Sequence, residues 1–132
     1  MKNLIVFLFL FSSPVFAHTL HECTVLKKWD VSHGEYSQEN LDKYKYSIKI
    51  YDFEEEGKLN GSYFKRCSFE SSANKVTCDK YLINYTDHTT FPSIKKYYYF
   101  KGHYDVQLFT EQMIFIENNG RGSFAFGNCV TR

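Results

Sequence analysis

Tyr63-Phe64-Lys65-Arg66-Cys67-Ser68-Phe69-Glu70 and Lys75-Val76-Thr77-Cys78-Asp79-Lys80-Tyr81-Leu82 are two aromatic-rich runs on either side of a polar tip, Ser71-Ser72-Ala73-Asn74. A turn centred on Ser72-Ala73 pairs Cys67 with Cys78, Phe69 with Val76 and Tyr63 with Leu82. Directly opposed residues of an antiparallel ladder lie about 4.5–5.5 Å apart, which a disulfide spans. One face of this hairpin carries the cysteines and the opposed pair Lys65/Lys80. The other carries Phe64/Tyr81, Arg66/Asp79 and Ser68/Thr77. Arg66 opposite Asp79 is a favourable pair, and opposed lysines are unfavourable unless solvated. Neither face is apolar enough to identify the inner one.

The same strand grammar extends in both directions. Upstream, Leu20 to Trp29 reads as a strand with Cys23, Val25 and Trp29 on one face. Asp30 to Lys43 is polar and reads as a loop, with one helical turn that the Ser37 hydroxyl is placed to cap. Tyr44 to Phe53 alternates, with Tyr44, Tyr46, Ile48 and Ile50 against Lys45, Ser47 and Lys49, the period of a half-buried strand. Glu54-Glu55-Glu56-Gly57-Lys58 ends it in a turn. Downstream, Thr86 to Ser93 reads as a loop, followed by strands at Ile94 to Phe100, His103 to Phe109, Met113 to Glu117 and Ser123 to Val130. Asn118-Asn119-Gly120 is the strongest turn signal, because Asn-Gly suits the positive backbone angles of a type I′ hairpin.

About eight short strands joined by tight turns predict an all-β antiparallel meander, closed or partly closed into a small barrel, with a β-sandwich as the alternative. Closure would bring the first and last strands together and remove exposed sheet edges.

Residues 1–17 carry the three-part pattern of a signal peptide. Lys2 is the positive start, Leu4 to Phe11 the apolar stretch, and Val15-Phe16-Ala17 the cleavage site. Residues 18–132 then form a single secreted or periplasmic domain with no segment of membrane-spanning length. Lys2 is the one charge of the leader. Removing it from 16 Lys and Arg leaves 15 against 15 Asp and Glu, a formal balance of zero. That balance argues against nucleic acid as a partner. All four cysteines, Cys23, Cys67, Cys78 and Cys129, lie beyond residue 17, and an even count in an exported chain reads as a disulfide framework. With Cys67–Cys78 set by the hairpin, Cys23–Cys129 joins the two ends of the domain.

Catalytic motifs are not in evidence: there is no G-x-S-x-G elbow, H-E-x-x-H pair or phosphate loop, and no catalytic residue or cofactor is assigned. The expected function is that of a non-catalytic, exported binding or interaction protein, whose partner is an apolar small molecule or another exported protein. Tyr97, Tyr98 and Tyr99, on both faces of one strand, and Arg121, beside the Asn-Gly turn, are the candidate contact residues. The alternative is copper. A mature N-terminal His18 offers an amino group and an imidazole, which suit Cu(II), and His21 is the nearest second histidine.

Overall fold

A computed structural model describes residues 18–132; the leader assigned to residues 1–17 lies outside them. The strands are β1 (Thr19–Asp30), β2 (Gly34–Glu35), β3 (Ser47–Asp52), β4 (Tyr63–Glu70), β5 (Lys75–Leu82), β6 (Tyr85–Thr89), β7 (Ile94–Tyr99), β8 (Tyr104–Phe109), β9 (Ile114–Asn118) and β10 (Ser123–Thr131). One α-helix, α1 (Gln38–Tyr44), and a 3-10 turn at Phe100–Gly102 are the other elements among the described residues. The Ser37 hydroxyl caps α1 by accepting from the Asn40 N–H at 3.2 Å. No helix among the described residues is long and apolar enough to cross a membrane.

The main sheet runs β5-β4-β3-β1-β10-β9-β8-β7-β6, and β2 pairs with β1 near its end. Every pairing is antiparallel, and the sheet curls into a half-barrel. The first and last strands do meet, and Cys23 lies opposite Cys129 in their ladder. Both expected disulfides are formed, with the paired Cα atoms 4.0 Å apart for Cys23–Cys129 and 4.1 Å for Cys67–Cys78.

The free edges fall elsewhere, at β5 and β6. Nine strands in antiparallel alternation leave these two running in the same direction, and only Ile83-Asn84 separates them in sequence. Residues 75–89 therefore pass directly from one edge of the sheet to the other, β5 pairing with β4 and β6 with β7. The stretch expected as a loop from Thr86 contains most of β6. Its alternation is polar (Thr86, Asp87, His88, Thr89), so apolar periodicity did not mark it.

Inside the hairpin the register is the expected one, from Tyr63↔Leu82 to Glu70↔Lys75. Phe64, fully buried, faces the lumen together with Tyr81, and the cysteine face is outward. There the opposed lysines each cover a tyrosine ring, Lys80 over Tyr63 at 4.1 Å and Lys65 over Tyr51 at 5.6 Å. Two cations over separate π-faces accommodate a pairing that is otherwise repulsive.

The middle of the lumen is solid. Phe64 meets Tyr104 and Tyr97 edge-on, with ring centroids 5.1 and 6.1 Å apart. Val106, Leu108 and Phe115 are fully buried around them. Polar side chains tie the curled sheet across its lumen on either side of this plug.

Candidate functional site

One irregularity in β1 determines which side chains reach the lumen. The β1–β10 register shifts between Val25 and Lys27, a bulge that places an extra residue at Leu26. Gly127 on β10 permits it, because a Cβ there would lie 1.9 Å from the Thr24 carbonyl oxygen. Beyond the bulge the alternation of β1 is inverted. Trp29, expected on the same face as Cys23 and Val25, is instead about half exposed, and Lys28 points inward.

Lys28 then stands in an inward cross-strand row with Ala125, Glu117, Val106 and Tyr97. Arg66 enters from β4, four places away from β9 in the sheet order, and its Nε donates to Glu117 Oε2 at 2.9 Å. The Tyr104 hydroxyl donates to the same oxygen at 2.7 Å, and Arg66 Nη2 to Glu117 Oε1 at 3.4 Å. This is the first lumen-crossing tie. Arg66 therefore bonds across the barrel rather than to Asp79, its neighbour in the hairpin ladder. Burial works against its charge, but the facing Glu117 carboxylate more than compensates, so its pKa is raised. Burial and then the Glu117 charge push the Tyr104 phenol up as well.

Lys28 is about nine-tenths buried, yet no carboxylate lies within salt-bridge distance of it among the described residues. Its ammonium sits over the rings of Tyr46 and Tyr36, at 5.0 and 5.5 Å. Burial lowers its pKa. Glu117 partly offsets that, Arg66 adds to it, and Asp30 acts in its favour. Beside it opens a cavity of about 170 Å3, lined by Lys28, Arg66, Glu117, Tyr46, Ser68 and Asp79 among others. Tyr46 also walls a second, shallower hollow with Tyr36, Tyr44 and His33. A small charged chamber thus adjoins an aromatic shelf.

The second tie lies on the other side of the plug. The Tyr97 hydroxyl donates to Asp52 Oδ2 at 2.7 Å, and Lys95 Nζ reaches Asp52 at 2.6 Å and Glu54 at 3.1 Å. Glu54 also accepts from the Thr86 hydroxyl and meets His88 Nε2 at 3.1 Å, linking the β3–β4 connection to β6. Burial pushes the Asp52 carboxyl up, but hydrogen bonds from Lys95, Tyr97 and the Glu54 N–H outweigh it, and its pKa is lowered. Every charge here has a partner, which gives the cluster a structural role.

The residues singled out from sequence are dispersed. Tyr97 is fully buried in the second tie. Tyr98 packs outward against Tyr85 and Phe100, and Tyr99 against Tyr81. Arg121 is exposed in the β9–β10 turn, where the Asn119 side chain accepts from its N–H at 2.7 Å. His18 is exposed with its ring edge-on to Phe53, and His21 spends Nδ1 on the Thr131 hydroxyl at 2.8 Å. No group of three or more His, Cys, Asp or Glu that could hold a metal ion occurs among the described residues. The cavity residues Lys28, Arg66 and Glu117 were not among those expected. Nothing in their local sequence set them apart, since Lys28 follows Lys27, Arg66 follows Lys65 and Glu117 precedes Asn118.

The outward face has its own pattern. Trp29 and Phe124 are cross-strand partners, as are Phe126 and Ile116, and with Ile114 they leave apolar side chains exposed on adjoining strands.

Fold and site together define a small, disulfide-stapled β half-barrel with a charged chamber in its lumen. No protein-family model, curated protein or solved structure matches the chain.

Proposed function

We propose that this is an exported, non-catalytic binding protein whose ligand site is the chamber beside Lys28. The observation that carries this reading is a nine-tenths-buried lysine with no carboxylate partner, facing a cavity of about 170 Å3. An uncompensated buried charge is costly to a fold. A chain that retains one at a cavity has a use for it, and small-molecule sites are commonly concave with a few convergent polar groups. The volume suits a fragment-sized ligand, whose remaining surface would rest on the tyrosine shelf. Export, to a periplasm or to the outside, is supported by the leader pattern of residues 1–17 and by two disulfides, which persist in oxidising compartments.

The test is an NMR titration of the isotope-labelled domain with small aromatic and aliphatic fragments. Shifts centred on Lys28, Tyr46 and Ser68 are expected. Shifts confined to other surfaces, or no shifts at millimolar fragment, contradict the reading.

A second reading, docking of another exported protein with an apolar face, is favoured by the outward patch of Trp29, Phe124, Phe126, Ile114 and Ile116. Patches of this kind mark interaction surfaces. A photo-reactive side chain at Phe126 should give one discrete adduct in the native compartment, and Trp29→Ser should abolish it. A Trp29→Ser chain that cross-links as well as the parent contradicts this.

A further inference from the structure

We infer that the ligand of the Lys28 chamber is a small anion, with a carboxylate or similar head seated against the Lys28 ammonium and an aromatic or apolar body on the tyrosine shelf. This rests on the chamber being the binding site, and it names the class of ligand.

The argument is a balance of partners. On this side of the plug one buried cation, Lys28, and one partly buried cation, Arg66, share the lumen with a single buried carboxylate, Glu117. Glu117 has committed both oxygens, one to Arg66 and Tyr104 together and the other to Arg66. Lys28 is left with three N–H donors and two ring faces. A π-face attracts the cation but accepts no strong hydrogen bond from it, so the donor capacity remains open toward the cavity. An incoming carboxylate supplies the missing acceptors in a site where charge-assisted hydrogen bonds are strong.

Four further titratable groups lie on or near the chamber. Asp79 on β5 lines it, but its residue is exposed, so water screens its repulsion of an anion. Asp30 lies further along β1, and Glu35 and His33 border the aromatic shelf. None of these carboxylates pairs with Lys28. A cationic ligand would meet both Lys28 and Arg66, and a neutral one would leave Lys28 as it was.

The ligand also couples to protonation. Burial lowers the Lys28 pKa, and an anion beside the ammonium raises it again. Above the free-state pKa, binding therefore takes up a proton, and affinity falls as pH rises through that value.

Three probes of nearly the same shape separate the possibilities: benzoate, benzamide and benzylamine, titrated into the oxidised domain and followed by NMR. Benzoate is expected to shift Lys28 and Tyr46. Benzamide should bind roughly tenfold or more weakly, and benzylamine should leave these resonances unmoved. Lys28→Met should lose benzoate by a similar factor, Lys28→Arg should keep it within a few-fold, and Asp79→Asn should tighten it. Benzamide or benzylamine binding as well as benzoate overturns the anion assignment while the chamber stands as a site. Failure of all three, with no response at Lys28 or Tyr46, overturns both.

Discussion

Gly127 and Thr24 approach so closely across the β1–β10 ladder that a Cβ on Gly127 would stand 1.9 Å from the Thr24 carbonyl oxygen. That contact lets β1 carry its bulge, and the bulge turns Lys28 inward and Trp29 outward. Gly127→Ala should therefore force the backbones apart. The expected loss is about 2 kcal/mol or more, from overpacking against main chain that has no rotamer to yield. Urea unfolding measures it. A near-neutral Gly127→Ala would mean that the bulge is not held by this contact.

Lys28→Met should stabilise the protein while removing its proposed ligand. Exchanging a buried, unpaired charge for a similarly sized apolar chain is expected to add about 1–2 kcal/mol at neutral pH. The pH dependence has a definite sign. The Lys28 pKa is below 10.5 in the folded chain, so between the folded value and 10.5 the unfolded chain binds more protons. Stability then rises with pH through that window as the folded chain sheds its unfavourable charge. Unfolding midpoints of the parent and Lys28→Met should converge toward high pH.

The Arg66–Glu117–Tyr104 tie behaves as a unit. Glu117→Ala strands Arg66 as an uncompensated, partly buried cation, at an expected cost of about 2–3 kcal/mol, below the range for a fully buried pair. Adding Arg66→Met to that variant should recover a large part of the loss, which independent sites would not do. Denaturant unfolding of the two single variants and the double variant provides the cycle.

Asp52 sets the acid limb. Its carboxyl titrates below the ordinary 3.8 in the folded chain, so its contribution is complete above 3.8 and is lost as pH falls through the lower folded value. Asp52→Asn should flatten that part of the stability profile, as read by thermal melts across acid pH.

The hairpin register, both disulfides, the α1 cap and the meeting of first and last strands were all readable in the sequence, because alternation, paired cysteines and turn residues are local signals. What escaped was each feature decided by contact between distant segments. Period-two reading of β1 put Trp29 on the same face as Val25, since nothing near Leu26 announces a bulge whose cause is a glycine 101 residues on. β6 was hidden because its side chains are polar, and its inward members work in the second tie instead of an apolar core. Arg66 had an attractive partner in Asp79 directly opposite, and only the curl of the sheet brings Glu117 nearer. Lys28, the centre of the candidate site, looked like one of two ordinary surface lysines at the end of a strand.

The most direct measurement is an NMR pH titration of the Lys28 ε-methylene group in the free domain and in the presence of saturating benzoate. A titration midpoint below 10.5 in the free protein, moving upward when benzoate is bound, is the predicted result. A Lys28 that titrates at 10.5 or above and ignores benzoate would contradict a buried, unpaired cation waiting for an anion.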